Sequence, residues 1–478
     1  MLTLINTNRM VPPIGPIGLD YIAGAARKAG IKTDLVDLCL ADDPLKTLQD
    51  YFAGHSPQLV GLSFRNVDDC FWPSARWFIP DLAETIRTIR TMTDAPIVLG
   101  GVGFSIFARL IVEYTGADFG IRGDGENATV LLHNELCGSG KFEKIDGLIW
   151  HHNGTIRSNR PAWPKRLSLP TERDAIDNVA YFRKGGQGGI ETKRGCNRRC
   201  IYCADPLTKG TALRLREPAE VANEAETLLA QGIDMLHLCD SEFNIPYNHA
   251  YTVCEEFSRR GLGKRLRWFT YMAVTPFDSE LAKAMSKTGC VGIDFTGDSA
   301  SPSMLKTYRQ AHLKEDLASA VRLCRDNNIK VMIDLLLGGP GETPETVAET
   351  IDFIKQINPD CAGAPLGVRI YPDTEMAHIV ENEGPLETNP NIRRKYTGTV
   401  DFFQPTFYIS QALGPKPAEL VRDLIDGDKR FFEPMPDILE EGQASTDHNY
   451  NDNTELVEAI KNGARGAYWD ILRQIRSN

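Results

Sequence analysis

The chain has 478 residues, of which 42% are hydrophobic and 24% are charged, and its formal net charge is −11. Its length allows about three domains with ordinary hydrophobic cores, and the acidic balance argues against a diffuse nucleic-acid-binding surface. The chain has no apolar run of 18 residues, and it does not open on a basic region followed by an apolar segment. We therefore expect a cytoplasmic protein without a membrane span.

The first 150 residues alternate short apolar runs with amphipathic stretches. Five of the apolar runs have the length and composition of β-strands, at residues 2–6, 33–37, 59–64, 97–100 and 119–123. Because a predicted helix follows each of them, the pattern predicts an α/β fold that begins with a doubly wound, Rossmann-like parallel sheet. Ligands of such sheets bind at the carboxyl ends of the strands.

Glycines and polar residues follow four of these strands. The candidates for ligand binding at this edge are Gly15, Arg65, Asn66, Gly100, Gly101, Gly103, Gly123, Asp124 and Glu126. Glycines at neighbouring strand ends let a bulky planar ligand approach the backbone closely. A nucleotide would use similar features, but the chain has neither G-x-G-x-x-G after the first strand nor a P-loop motif.

Arg65 follows a buried strand and precedes a polar turn. Its guanidinium either points towards the ligand or forms a salt bridge with Asp68 or Asp69. His55 and His133 lie on predicted helices or at their ends, where surface or packing roles are the simpler interpretation.

A linker is predicted at residues 151–188. Asn153 and Gly154 favour a hairpin turn between two apolar-rich segments, and the chain that follows is rich in proline and glycine. The linker separates a first domain at residues 1–150 from a second at residues 189–375.

Three cysteines lie within eight positions at the start of the second domain. Cys196, Cys200 and Cys203 have the spacing C-x3-C-x2-C, which can bind three corners of a 4Fe–4S cube and leave one iron open. The alternative is a zinc site, but zinc would need a fourth Cys or His, and none follows at a suitable spacing.

The second domain alternates strands and helices with a longer period. Six strands are predicted at residues 189–193, 235–238, 268–273, 291–295, 330–337 and 367–371. Six βα units of this length predict a partial TIM-type (β/α)6 barrel, with functional residues again at the carboxyl ends of the strands.

Residues 376–478 are predicted to be mostly helical and to cap the barrel. Apolar residues at helical spacing predict helices at residues 417–425 and 456–475. The polar and aromatic segment at residues 448–453 either covers the open face of the barrel and contacts substrate or is a surface loop.

The cysteine loop, with Tyr202 directly before its last cysteine, resembles the signature of the radical S-adenosylmethionine (SAM) superfamily, and polar strand ends follow it in a similar order. The resemblance implies that the open iron holds SAM. It implies SAM contacts at Tyr202, Asp240, Glu242, Asp298, Arg309, Gly338 and Gly339. Arg369 is a further candidate for binding a carboxylate.

The first domain resembles the cobalamin-binding domain that precedes the radical SAM core in many of these enzymes. The resemblance lies in Pro12-Pro13-Ile14-Gly15 and in Gly123-Asp124-Gly125-Glu126, whereas the D-x-H-x-x-G motif is absent. It implies that the strand-end candidates named above bind cobalamin without a histidine ligand from the protein.

Together the two resemblances imply a cobalamin-dependent (class B type) radical SAM enzyme. The implied activity is C-methylation of an unactivated carbon in a small molecule or biosynthetic intermediate, with a 4Fe–4S cluster, SAM and cobalamin as cofactors and an electron donor such as flavodoxin or ferredoxin. Two alternatives remain open. One is a radical SAM cyclase or rearrangement enzyme without methyl transfer, and the other is a non-catalytic corrinoid or iron–sulfur binding protein.

Overall fold

The computed structural model describes residues 1–398, 401–437 and 450–477, and its N-terminal sheet has seven strands in the order β2-β1-β3-β4-β5-β6-β7. The strands are β1 (Leu2–Asn6), β2 (Thr33–Asp37), β3 (Leu59–Ser63), β4 (Ile97–Gly100), β5 (Phe119–Ile121), β6 (Leu148–His152) and β7 (Thr155–Ser158). The helices are α1 (Ile17–Lys28), α2 (Pro44–Gly54), α3 (Ile79–Arg90), α4 (Val102–Ile106), α5 (Ala108–Thr115) and α6 (Glu126–Leu136).

The first five strands are parallel, as predicted. Their apolar runs are continuous because helices cover both faces, with α1 and α6 in one apolar cluster and α2, α3 and α5 in another. The predicted hairpin adds β6 and β7 to the sheet edge in antiparallel orientation. The sheet therefore extends to Ser158, beyond the expected domain boundary at residue 150.

After α7 (Asn178–Gly185) comes a second sheet of seven parallel strands in the order β19-β15-β14-β13-β12-β11-β8. Its strands are β8 (Gly188–Ile190), β11 (Met235–Leu238), β12 (Arg267–Ala273), β13 (Cys290–Asp298), β14 (Lys330–Leu335), β15 (Cys361–Gly363) and β19 (Phe431–Phe432). The helices of this part are α8 (Asp205–Lys209), α9 (Pro218–Ala230), α10 (Tyr247–Arg259), α11 (Ser279–Lys287), α12 (Pro302–Thr307), α13 (Lys314–Asp326) and α14 (Pro344–Ile357). A two-stranded ribbon, β9 (Lys193–Arg194) with β10 (Arg214–Leu215), carries the cysteine loop.

The prediction of the sixth barrel strand was wrong. Residues 367–371 contribute only β16 (Val368–Arg369), which pairs with β18 (Thr406–Tyr408) and, through it, with β17 (Ile392–Arg394) in a small antiparallel sheet. Gly367 has φ +102°, a left-handed conformation at which the chain turns out of the barrel. The sixth strand is β15 instead, and β19 from the C-terminal region adds a seventh.

The C-terminal region adds α15 (Glu375–Glu383), α16 (Pro417–Ile425), α17 (Thr454–Lys461) and α18 (Tyr468–Ser477). The single helix predicted at residues 456–475 was therefore wrong, because Gly463 and Gly466 adopt φ values of +102° and +129° and interrupt it. Of the segment at residues 448–453, His448 and Asn449 lie outside the described residues. Among the described helices, none combines the length and apolar character needed to cross a membrane.

Buried ion pairs join the two sheets. Arg173 of the linker bonds Asp20 of α1 and Glu224 of α9, each at 2.7 Å, and all three side chains are at most 1% exposed. Glu224 also accepts from Arg216 at 2.6 Å and from the Tyr21 hydroxyl at 2.7 Å. Two arginines balance two carboxylates, so the network is neutral while it ties the first domain to the second.

Candidate active site between the two sheets

A cavity of about 590 Å³ lies between the N-terminal sheet and the barrel. Its walls include the carboxyl ends of β3, β4 and β5 on one side and Gly189, His237 and Tyr271 of the barrel on the other. Both domains are thus oriented with ligand-binding edges towards one shared space.

Eight of the nine strand-end candidates line this cavity. They are Gly15, Arg65, Asn66, Gly100, Gly101, Gly123, Asp124 and Glu126. Gly103 does not, because it packs under the preceding turn, where a Cβ would lie 2.7 Å from the carbonyl oxygen of Arg65. Gly101 has φ +109°, and a Cβ at this position would lie 2.5 Å from the carbonyl oxygen of Phe64, so this bend needs glycine.

Asp124 and Glu126 line the cavity but have protein partners. Glu126 accepts two hydrogen bonds from Arg194, at 3.1 and 2.8 Å, and Asp124 pairs with Arg214 and, at 3.3 Å, with Arg194. Both arginines lie on the ribbon that carries the cysteine loop. The two carboxylates therefore hold that ribbon to the first domain, a role that the sequence prediction missed.

Arg65 has neither of its predicted salt bridges. Asp68 pairs with Arg369 at 2.8 Å, and Asp69 accepts from Ser74. The Arg65 guanidinium contacts the Met10 sulfur at 3.6 Å, and Arg65 has no ion pair within the described ranges. Arg65 therefore points into the cavity, while Arg369 is buried against Asp68 and is no longer a candidate for binding a substrate carboxylate.

Arg65 also affects a barrel residue that the sequence prediction missed. His237 lies on β11 with its ring 4.7 Å from that of Tyr271, and burial together with the Arg65 charge lowers its pKa to about 4. His237 is therefore neutral at pH 7. The signal was available, since His237 is a polar residue at an inward position of a buried strand.

The cysteine loop folds back on the ribbon that carries it. Gly195 has φ +90° and packs against the carbonyl oxygen of Ala212, and the Cys196 amide donates to Gly210 at 3.1 Å. Cys196 is buried and Cys200 and Cys203 are half-buried, and burial raises the pKa of all three thiols, that of Cys200 to about 12.

The donor set fits an iron–sulfur cube better than zinc. In the part of the chain that the structure describes, no three His, Cys, Asp or Glu side chains converge on one metal ion. A cube holds its three cysteines farther apart than a single zinc ion does, because the sulfur atoms bind different irons.

Asp240 does not face this site as a free carboxylate. It accepts from the amides of Thr192 and Lys193, at 2.8 and 3.2 Å, and from the Thr192 hydroxyl at 2.5 Å. Asp240 therefore fixes the strand that leads into the cysteine loop, and its contact with SAM stays a prediction.

Asp298 and Tyr202 do come together. The Tyr202 hydroxyl lies 2.9 and 2.8 Å from the two oxygens of Asp298, and burial raises the pKa of this carboxyl to about 6. Gln310 donates to the same carboxylate, and its Nε2 lies 3.4 Å from the Cys200 sulfur. No sequence signal pointed to Gln310, which is 110 residues from Cys200.

Glu242 has an orphaned oxygen beside the cysteines. Its Oε1 accepts from the Thr296 hydroxyl at 3.1 Å, whereas Oε2 is buried and has no hydrogen-bond partner among the described residues. Burial raises the pKa of Glu242 to about 7, and its charge raises the pKa of Cys196 and Cys200. This oxygen fits a ligand that the cluster site would hold.

Three further SAM candidates do not offer free groups. The amides of Gly338 and Gly339 both donate to the Glu342 carboxylate, the second at 3.1 Å. Arg309 is 48% exposed and pairs with Glu375 at 2.7 Å, so its guanidinium is directed to the surface. The prediction of a SAM contact at Arg309 is corrected, whereas the predicted contact of the Gly338 and Gly339 backbone with SAM stays a prediction.

Comparison with known proteins identifies the class of this site. Residues 5–132 match the family described as B12 binding domain, and residues 190–354 match the radical SAM superfamily. The chain belongs to the cobalamin-dependent radical SAM methyltransferases. The predicted fold class, the combination of domains and the class of enzyme are thereby confirmed.

Particular relatives extend over the whole chain. The radical SAM methyltransferase TsrM from Kitasatospora setae, solved with tryptophan substrate and a SAM analogue, is 32% identical with a TM-score of 0.91, covering 100% of this chain and 99% of that one. A second TsrM structure, with cobalamin and a [4Fe-4S] cluster bound, is 31% identical with a TM-score of 0.88, covering 100% and 97%. Tryptophan 2-C-methyltransferase of Streptomyces laurentii is 28% identical over 98% of this chain and 95% of the relative.

Proposed function

We propose that this enzyme transfers a methyl group from SAM to a carbon atom of an indole-containing amino acid of the tryptophan class. The observation that carries the proposal is the shared cavity, in which corrin-facing strand ends and the barrel wall beside the cysteine loop meet. The substrate class is supported by the relatives, whose names specify tryptophan.

The residues present fit the three cofactors. Cys196, Cys200 and Cys203 would bind the cluster, and the orphaned oxygen of Glu242 would face its fourth corner or a ligand bound there. When bound, the cluster, SAM and the corrin supply the methyl group and the electrons for its transfer. Asp240 and Gln310 hold the cysteine loop in place, and the buried walls exclude water.

Arg65 would face the corrin from the side of the first domain. A guanidinium cannot bind cobalt as an imidazole does, because it remains protonated in proteins. Arg65 would therefore help to hold the corrin without serving as a ligand of its metal. On the opposite wall, the neutral His237 can accept a hydrogen bond from substrate at a ring nitrogen.

A reduced flavodoxin or ferredoxin remains the electron donor that we propose. The dependence of the assay below on the reductant tests this partner.

The test uses anaerobically reconstituted protein incubated with tryptophan and SAM carrying a labelled methyl group, with and without reduced flavodoxin. We expect labelled methyltryptophan and S-adenosylhomocysteine, detected by mass spectrometry. Cys203→Ala should abolish both products, and Arg309→Ala, at the surface ion pair, should not.

Each contrary outcome identifies a different error. Methyl transfer to none of a series of indole amino acids would overturn the substrate class. Cleavage of SAM to 5′-deoxyadenosine without a methylated product would favour the cyclase or rearrangement alternative. Corrin binding without any consumption of SAM would favour a non-catalytic carrier.

A further inference from the structure

We propose that Asp294 and Asp334, on the inner face of the barrel, form a subsite that binds a protonated amine of the substrate. The inference rests on the proposed function and specifies a group that the substrate must carry. Both aspartates lie within barrel strands, Asp294 in β13 and Asp334 in β14.

The two carboxylates share one face of the sheet. Asp294 of β13 is in register with Tyr271 of β12, and Asp334 of β14 is in register with Thr296 of β13. The aspartates are therefore on adjacent strands and two positions apart along them, which puts both side chains on the same side. Because Tyr271 also lines the cavity, the pair adjoins the space in which the cofactors would meet.

Asp294 lacks the partner that a buried carboxylate normally has. It is 6% exposed, and in residues 1–398, 401–437 and 450–477 it has no hydrogen bond and no ion pair. Asp334 is partly exposed, and it too has no hydrogen bond and no ion pair over those ranges. Burying a carboxylate without a partner is unfavourable, so a site of this kind is complete only when a cation or a donor occupies it.

The electrostatic surroundings of the two carboxylates favour a bound cation. Burial and the charges of Asp334 and Glu242 raise the pKa of Asp294, and burial with the charge of Asp298 raises that of Asp334 to about 7. Burial and the charges of both aspartates also raise the pKa of Tyr271 and Tyr450. Tyr271 is in register with Asp294 and so lies beside the carboxylates, and aromatic rings stabilise cations.

An ammonium group suits this arrangement better than a metal ion. A bound metal would need at least a third ligand, and no three His, Cys, Asp or Glu side chains converge on a metal position in the described part of the chain. An ammonium is compact and has three donors, so it can bond two carboxylates and still lie against an aromatic ring.

Binding of paired probes to the holoenzyme tests the subsite. Tryptamine carries the amine without a carboxylate, and indole-3-propionate carries the carboxylate without the amine. Hexylamine and hexanol form a second pair without indole. Affinities are measured by equilibrium dialysis for the wild type, for Asp294→Asn and Asp334→Asn, and for Asp326→Asn as a control at an exposed helical position.

We expect each amine to bind at least about tenfold more tightly than its partner, and Asp294→Asn to remove that preference while leaving indole-3-propionate unchanged. Retained cluster and corrin absorbance identifies correctly folded variants. If neither amine is preferred by the wild type, or if Asp294→Asn weakens both members of a pair equally, the subsite is overturned.

The same data separate this inference from the proposed function. An amine preference that depends on Asp294, without methylation of any indole, supports the subsite and refutes the proposed substrate class. Equally fast methylation of tryptophan and indole-3-propionate supports the proposed function and overturns the subsite.

Discussion

Glu224→Gln should loosen the connection between the two domains. Glu224 is fully buried and contacts Arg173 at 2.7 Å, Arg216 at 2.6 Å and the Tyr21 hydroxyl at 2.7 Å. Glutamine preserves the shape of the side chain but removes its charge. The network would then hold two arginines against the single carboxylate of Asp20, all of them buried.

Removing one member of a buried ion pair costs about 3–5 kcal/mol, because the remaining charge is left without compensation. The amide oxygen of glutamine can still accept one hydrogen bond, so we expect the free energy of unfolding to fall by about 3 kcal/mol. Asp20 and Tyr21 lie on α1, and the residues that lead into α1 line the cavity. Retention of the corrin should therefore weaken as well.

The measurement is urea unfolding followed by tryptophan fluorescence, with the corrin absorbance recorded in parallel. Asp174→Asn is the matched control. Asp174 is adjacent to Arg173 and pairs with Arg27 of α1 at 2.6 Å, but this pair is exposed, with 63% of the Asp174 side chain and 42% of the Arg27 side chain accessible. An exposed pair contributes about 0–1 kcal/mol. If the free energy of unfolding fell equally in the two variants, the buried network would not be what holds the two domains together.

Three further predictions concern single positions. Burial raises the pKa of Glu342 from 4.5 to about 8, so the stability that this residue contributes is complete below pH 4.5 and is lost as the pH rises through 8. Glu342→Gln should therefore flatten the fall of the melting temperature between pH 6 and 9. An unchanged slope would contradict this prediction. Arg65→Met should alter the visible spectrum of the bound corrin. The melting temperature should not change, because Arg65 has no ion pair within the described residues. An unaltered spectrum would exclude a contact between Arg65 and the ring. Gly195→Ala should lower the iron content per chain several-fold. Gly195 has φ +90°, which strains any residue with a side chain, and the neighbouring Ala212 carbonyl leaves no room for a Cβ. A normal iron content would show that the loop adapts.

The sequence predicted the elements whose residues form a recognisable pattern within a short stretch of the chain. The first five strands were recognisable because both faces of the sheet are buried, which makes each strand a continuous apolar run. The three cysteines were recognisable because they lie within eight positions at a spacing that suits three corners of a cube. In both cases the interacting groups are close in sequence.

The errors occurred where length or distance removed such a pattern. The strand Cys361–Gly363 has three residues, too few for periodicity to distinguish it from the more apolar residues 367–371. The break between α17 and α18 depends on Gly463 and Gly466, which lie between the residues of a regular apolar stripe. Partners such as Glu126 and Arg194, which are 68 residues apart, leave no local trace at all.

The architecture places the three proposed tasks on separate elements. The cysteine loop is carried on its own ribbon, Arg65 comes from the first domain, and Asp294 is fixed in the middle of a barrel strand. Because these elements are anchored by different contacts, a conservative substitution in one should leave the other two intact. Cluster content, corrin spectrum and substrate affinity should therefore respond independently to Cys203→Ala, Arg65→Met and Asp294→Asn, and a variant that altered all three would indicate that the domains had separated.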